Sequence, residues 1–221
     1  MSKMAISKLS REIINDINAT IAELSNIHFL RDVKGISQQS LSGNVLDLTF
    51  QGKDDNSNVM YDTRASCSHL IDTLLQHKQY TILLYDKSII HAEFRIGADS
   101  IIKERLVFLK KHNKIWSIDE IKELDEEEED WFSENFGIPI LIRIDYDPNE
   151  HINCDHPSSH FTLSNHDSCR IPMKEAVTFS EFVRFILRHF YNVNFDKPKF
   201  RLKHPEDITA DEKKMMHIYW E

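Results

Sequence analysis

The chain has 221 residues, of which 41% are hydrophobic, and a formal net charge of −9. That length and apolar content suit one globular unit with a substantial core, and the acidic balance disfavours wholesale wrapping of nucleic acid while leaving local basic patches free to act. Three cysteines are too few for a disulfide framework, five glycines exclude a phosphate-binding or dinucleotide fingerprint, and no run approaches the roughly 20 apolar residues that cross a bilayer, so a cytoplasmic protein without membrane partners is expected.

The N-terminus lacks an apolar signal segment. Ile6, Leu9, Ile13, Ile17, Ile21 and Leu24 recur at helical spacing, which predicts an amphipathic helix over 5–24. Residues 25–43 are polar and poorly periodic. Val45, Leu46, Leu48 and Phe50 predict a strand, and 51–58 a loop. A second helix is expected over 62–77, with Leu70, Ile71, Leu74 and Leu75 inward.

Tyr80–Tyr85, the turn Asp86-Lys87-Ser88 and the alternating Ile89–Ile96 predict a β-hairpin. Ile90, Ala92, Phe94 and Ile96 face inward there, and His91, Glu93 and Arg95 form a solvated outer set. Residues 101–110 fit a strand or a buried helix; a hairpin that needs a neighbour favours the strand. Ser117 and Glu120 form a capping box for a helix over 118–135, whose middle is the acidic run 125–130.

From Ile140 the alternation resumes. Ile140, Ile142, Ile144 and Tyr146 take one face, and Leu141, Arg143, Asp145 and Asp147 the other. Pro148-Asn149 ends this strand. Phe161 and Leu163 alternate with His160 and Thr162. A five-residue turn, 164–168, sets Ile171 opposite Phe161 and Arg170 opposite Thr162, which segregates apolar from polar side chains; a slip by one residue would mix them.

Thr178 and Glu181 form a second capping box, opening a helix that reaches Tyr191 and carries Arg184 and Arg188 on its polar side. Lys197, Lys199, Arg201 and Lys203 follow, interleaved with aromatics. Thr209 and Glu212 cap a last short helix. The elements sum to a single α+β domain: a helical part over 1–78, a twisted, mostly antiparallel sheet with a capped helix over 79–192, and a basic segment with a short helix over 193–221. Helices from both ends pack on one face.

Chemically capable side chains crowd into 139–172. If the strands share a sheet, Arg143, Asp145, Asp147, His160 and Arg170 lie on one polar face, with Asp155 and His156 on a loop at its edge. Three chemistries compete. His151, Cys154, His156, His160, His166 and Cys169 offer zinc ligand pairs, and Asp145, Asp147 and Asp155 offer oxygens to a divalent cation. His160 with His156 suits acid–base work on a phosphodiester, with Asp155 orienting a histidine and Arg143 and Arg170 stabilising charge; Arg184, Arg188, Lys197, Lys199, Arg201 and Lys203 would hold an RNA or single-stranded DNA, and a 2′-hydroxyl nucleophile would need no cofactor. The third reading is a structural polar network.

The motif Asp155-His156-Pro157-x-Ser159-His160, then Cys169-Arg170-Ile171-Pro172 and a capped helix ending in Phe190-Tyr191, resembles a family of uncharacterised bacterial proteins, a domain of unknown function. The strand from Ile142 to Asp147 and the Arg105–Phe108 segment are similar too, so the likeness runs over roughly 80–192. The resemblance implies a soluble bacterial protein, with an association with phage-defence or toxin-type systems as an expectation, and brings no established activity. The leading expectation is an effector whose His/Asp/Arg site acts on, or at least binds, nucleic acid, with RNase-like phosphodiester chemistry as its enzymatic form. The alternative is an adaptor that docks a partner protein, encoded nearby, through the acidic helix 118–135 and the basic segment 184–204.

Overall fold

A computed structural model of the chain describes residues 6–41, 44–50, 67–111, 139–164, 169–195, 202, 207–215 and 217–218. The expected loop 51–58, the acidic helix 118–135, His166 and the basic residues Lys197, Lys199, Arg201 and Lys203 lie outside the described residues.

Nine strands make one sheet: β1 (Leu30–Val33), β2 (Ile36–Ser40), β3 (Leu46–Phe50), β4 (Ile82–Leu84), β5 (Ile89–Ile96), β6 (Ile101–Lys110), β7 (Ile140–Tyr146), β8 (Ser159–Leu163) and β9 (Ile171–Pro172). All these pairings are antiparallel, in the order β1-β4-β5-β6-β7-β8-β9. One edge of β5 is shared: β4 pairs with Ile89 and Ile90, and β3 with Phe94–Ile96. Among the described residues three α-helices complete the α+β fold: α1 (Lys8–Asn26), α2 (Cys67–Gln76) and α3 (Phe179–Tyr191). None of the described helices is long and apolar enough to cross a membrane.

The sheet therefore begins well before residue 80, and 25–43, aperiodic by sequence, supplies β1 and β2. The reason lies in β2. Among the described residues it pairs only with β3, and its Gln38, Gln39 and Ser40 are exposed. A strand held by backbone pairing at an edge needs no apolar alternation, so periodicity does not reveal it.

Alternation sorts the two sheet faces. Ile90, Ala92, Phe94, Leu106, Phe108, Ile142, Ile144 and Phe161 point to one side, where α1 and α3 cover them in the main core. In α3, Phe179, Phe182, Val183, Ile186 and Leu187 are at most 1% exposed, and each such side chain contributes about 1.5–3 kcal/mol on burial. The helix starts at the expected capping box: Glu181 N donates to Thr178 Oγ1 (3.2 Å) and Thr178 N to Glu181 Oε2 (2.9 Å). Asp16 of α1 adds a cap from outside, accepting from Ser180 N (3.0 Å) and Ser180 Oγ (2.5 Å). Burial nevertheless pushes the Asp16 carboxyl above its ordinary range.

The opposite face divides in two. At one end α2 packs Leu70, Ile71 and Leu74 against Leu83, Ile89, Val107, Leu109 and Leu141. Beyond that small core the same face turns polar. His91, expected in a solvated set, is fully buried there, and only Arg95 of that set is exposed.

On the α1/α3 side two carboxylates are buried with opposite consequences. Asp86, in the β4–β5 turn, takes the ammonium of Lys110 at the end of β6, a hydrogen bond from Tyr191 Oη (2.8 Å) and one from Ser88 N (3.0 Å). Burial alone would raise its pKa, but Lys110 and the donors outweigh it and hold Asp86 below the usual range. Glu104 of β6 is fully buried, and its Oε1 accepts from Val177 N (3.2 Å). Burial, with no cation among the described residues to offset it, holds its pKa well above the ordinary value.

The sign of that shift gives a testable pH dependence. A carboxyl whose folded pKa is raised contributes stability that is complete below the unfolded value near 4.5 and is lost as pH rises through the folded pKa. Glu104→Gln should remove this loss. In denaturant unfolding from pH 5 to 9 the wild-type midpoint is expected to fall relative to the variant, by about 1.4 kcal/mol per pH unit of displacement. Parallel profiles would show that Glu104 is ionised in the fold.

Candidate functional site

The polar half of the second face is built by register. Arg105 of β6 lies opposite Asp145 of β7, which lies opposite His160 of β8. These three residues form a line across neighbouring strands, where directly opposed side chains meet. Arg143, two positions before Asp145, shares its face. The β8–β9 pairing sets Phe161 against Ile171 and His160 against Pro172, the register that the five-residue turn predicts, and Arg170 falls beside this line.

Asp145 is the hub. Arg105 Nε donates to Oδ1 and Arg143 Nε to Oδ2, both at 2.5 Å. Its side chain is 9% exposed, against 16% and 11% for the two arginines. Burial works to raise the Asp145 pKa, but the two guanidinium groups overcome it and hold the carboxyl below its ordinary range. Next to it, Lys103 Nζ lies 3.0 Å from Asp147 Oδ2.

Asp147 also begins the β7–β8 loop. It caps a 3-10 turn over Pro148–Glu150, accepting from Asn149 N (3.2 Å). The chain then doubles back: Ile152 N donates to His156 O (2.9 Å) and His156 N to Ile152 O (2.7 Å). Cys154 makes this tight turn in the left-handed region at φ 63°, uncommon for a residue other than Gly, Asn or Asp. The reversal brings His156 back to the sheet and aims the Pro157 carbonyl at His160.

His160 is 2% exposed. Its Nδ1 lies 3.0 Å from Pro157 O. A carbonyl only accepts, so Nδ1 carries the proton, and Nε2 is the free basic nitrogen. Nε2 faces Asp145 Oδ2 at 3.7 Å, beyond hydrogen-bond range. Burial holds the His160 pKa below its usual value, and Asp145 only partly restores it. The His156 ring meets His160 edge-on, with centroids 4.9 Å apart.

These groups line a cleft of about 450 Å³ with Lys103 and Glu150 at its margin and Arg170 beside the histidines. Arg170 differs from Arg105 and Arg143. Among the described residues it has no hydrogen-bonding or ion-pair partner, and its Nε is buried. Its guanidinium lines a cleft in which the Asp145 carboxylate is already engaged by two others.

Of the sequence candidates, Arg143, Asp145, His156, His160 and Arg170 converge here, together with Asp147. Asp155 does not. It sits at the exposed tip of the tight turn and its carboxylate makes no hydrogen bond among the described residues; the backbone carbonyl of Pro157 orients the histidine instead. Arg184 and Arg188 belong to α3, on the other side of the sheet, and do not reach the cleft. Nor do the aspartates assemble as ligands for a divalent cation. Asp145 is taken by two arginines, Asp147 by Lys103, and among the described residues no three His, Cys, Asp or Glu side chains group as a metal site. For zinc, Cys154 is exposed on the turn and His151 pairs with Glu212 at 3.2 Å. Sequence reading missed Arg105 and Lys103. The β6–β7 register was the signal that would have found them.

Comparison with known proteins adds one match. The model of a family described as an uncharacterized conserved protein (DUF2290) matches residues 30–220. No curated protein and no solved structure matches.

Proposed function

Since the chain belongs to the DUF2290 family of uncharacterized conserved proteins, whose description assigns no activity, we propose a function from the cleft itself: it binds a phosphodiester of nucleic acid and cleaves it by acid–base chemistry. The observation that carries this reading is His160, with Nδ1 committed to Pro157 O, in a cleft also lined by the Arg170 guanidinium, whose buried Nε meets no acceptor among the described residues. A buried imidazole with a lowered pKa is neutral near pH 7 and ready to take a proton. Arg170 meets the non-bridging oxygens and His156 supplies a proton to the leaving oxygen. Asp145 is not a base in this scheme, because two arginines hold it ionised and engaged.

RNA is the favoured substrate, since its 2′-hydroxyl is an internal nucleophile. The test is incubation with labelled single-stranded RNA and DNA, with magnesium, manganese or chelator. RNA cleavage that survives the chelator is expected. His160→Ala should slow it by about 10²–10⁴-fold, and Arg170→Ala should weaken RNA binding, both with the wild-type fold. Uncut RNA in every lane, or cleavage unaffected by His160→Ala, overturns the reading. A partner-docking adaptor is the rival. Exposed Arg188 on the far side of α3 favours it, and salt-sensitive association without cleavage would support it.

A further inference from the structure

The C-terminal segment touches the site without entering it. Thr209 N donates to Glu212 Oε2 (2.9 Å) and Glu212 N to Thr209 Oγ1 (3.2 Å), the reciprocal pair expected from the sequence, at the start of a 3-10 turn over Glu212–Lys214. Glu212 is nevertheless fully buried, which a surface cap does not require. Its other oxygen explains the burial. Oε1 accepts from Cys154 N (3.3 Å) and meets His151 Nε2 at 3.2 Å. Two more bonds tie the same pieces together: Thr209 Oγ1 donates to Asn153 Oδ1 (2.6 Å) and Asn153 Nδ2 to Asp211 Oδ2 (3.4 Å). Beyond the turn the chain is anchored again, with Lys174 N donating to Ile218 O (3.0 Å) and Ile218 N to Pro172 O (2.9 Å). The segment is thus a strap, fixed to the end of β9 and gripping the β7–β8 loop at its strained residue.

That loop carries both histidines' settings. His156 closes the tight turn whose apex is Cys154, and Pro157 O, one residue on, fixes His160. A left-handed Cys154 holds its conformation only where the surroundings over-determine it, and Glu212 supplies the hydrogen bond to its backbone. We propose that Glu212 is a positioning residue for the cleft: by holding Cys154 and His151 it sets the loop so that His156 abuts His160 and the Pro157 carbonyl locks the His160 ring. The catalytic part of this inference rests on the phosphodiester reading; the positioning part is a statement about geometry and stands apart from it.

The test uses the full chain with Glu212→Ala and the conservative Glu212→Gln, whose amide oxygen still accepts from Cys154 N. Histidine side-chain NMR reads the setting directly. Wild-type His160 is expected as the Nδ1–H tautomer titrating below an ordinary histidine. In Glu212→Ala it should shift toward a mixed tautomer and a titration nearer the usual value of about 6.5, with Glu212→Gln in between. RNA turnover in Glu212→Ala should drop by about 100-fold, the size of effect that a misplacement of 1 Å produces, and Glu212→Gln should recover most of it. A His160 spectrum unchanged in a folded Glu212→Ala overturns the proposal, whatever the activity. If Glu212→Ala does not fold, Glu212→Gln decides by the same spectra. Failure of wild-type protein to cleave RNA removes the phosphodiester reading alone, because the spectra still judge the strap.

Discussion

Asp86→Ala should cost about 3–5 kcal/mol of stability, the range for breaking a buried ion pair from one side. The substitution leaves the Lys110 ammonium, 2% exposed in its side chain, with Tyr191 as its remaining partner among the described residues: Oη at 3.5 Å and the ring centroid at 4.6 Å. For a chain of this length the melting temperature should fall by roughly 10 °C. The double variant Asp86→Leu, Lys110→Met distinguishes a lost pair from a lost packing site. Replacing both charges by apolar groups is often neutral or stabilising, so most of the loss should be recovered. A double variant as unstable as the single one would show that the β4–β5 turn needs Asp86 for its bond to Ser88 N rather than for charge. The pair also responds to acid. Since the folded pKa of Asp86 is lowered, its contribution is present above the unfolded value near 3.8 and lost as pH falls through the folded one.

The second large effect belongs to Asp145. Asp145→Ala removes the carboxylate that Arg105 Nε and Arg143 Nε share and leaves two like charges side by side on one face of the sheet. A loss of about 3–5 kcal/mol is expected, again from uncompensated buried charge, with RNA cleavage abolished because Nε2 of His160 then faces a doubly cationic wall. Asp145→Asn keeps shape and one acceptor and should cost less in stability while still impairing cleavage. Thermal unfolding and RNA turnover on the two variants check this together. If Asp145→Ala keeps its melting temperature, the arginines have water or other partners and Asp145 is not the hub.

The legible parts of this chain are those where one strand's own alternation carries the information. Ile142, Ile144 and Tyr146 against Arg143 and Asp145 read correctly from composition of the segment alone, and so did the β8–β9 register, because only one turn length separates Phe161 and Ile171 from His160 and Arg170. The capping boxes at Thr178 and Thr209 were equally local. What escaped is what pairing at a distance decides. Arg105 meets Asp145 only through a β6–β7 register that no local pattern encodes. His91 alternates like a solvent-facing residue, yet its face is covered. Lys110 and Asp86, both charged, were invisible as core residues, since nothing in either segment announces the partner. Asp155 was the opposite error: a carboxylate near histidines in sequence that the tight turn points outward.

The contact between Asp16 and Ser180 joins residues 164 apart in the chain, whereas from β5 to β9 each strand pairs with the next. Loop-closure entropy grows with the separation bridged, and distant contacts form slowly. The meander is therefore free to assemble hairpin by hairpin before α1 meets α3. During synthesis α1 leaves the ribosome well ahead of β5–β9 and α3, so its apolar stripe (Ile13, Ile17, Leu24) must wait for the sheet and helix that finally cover it. Through that interval the helix is open to chaperones and to mispairing with other chains.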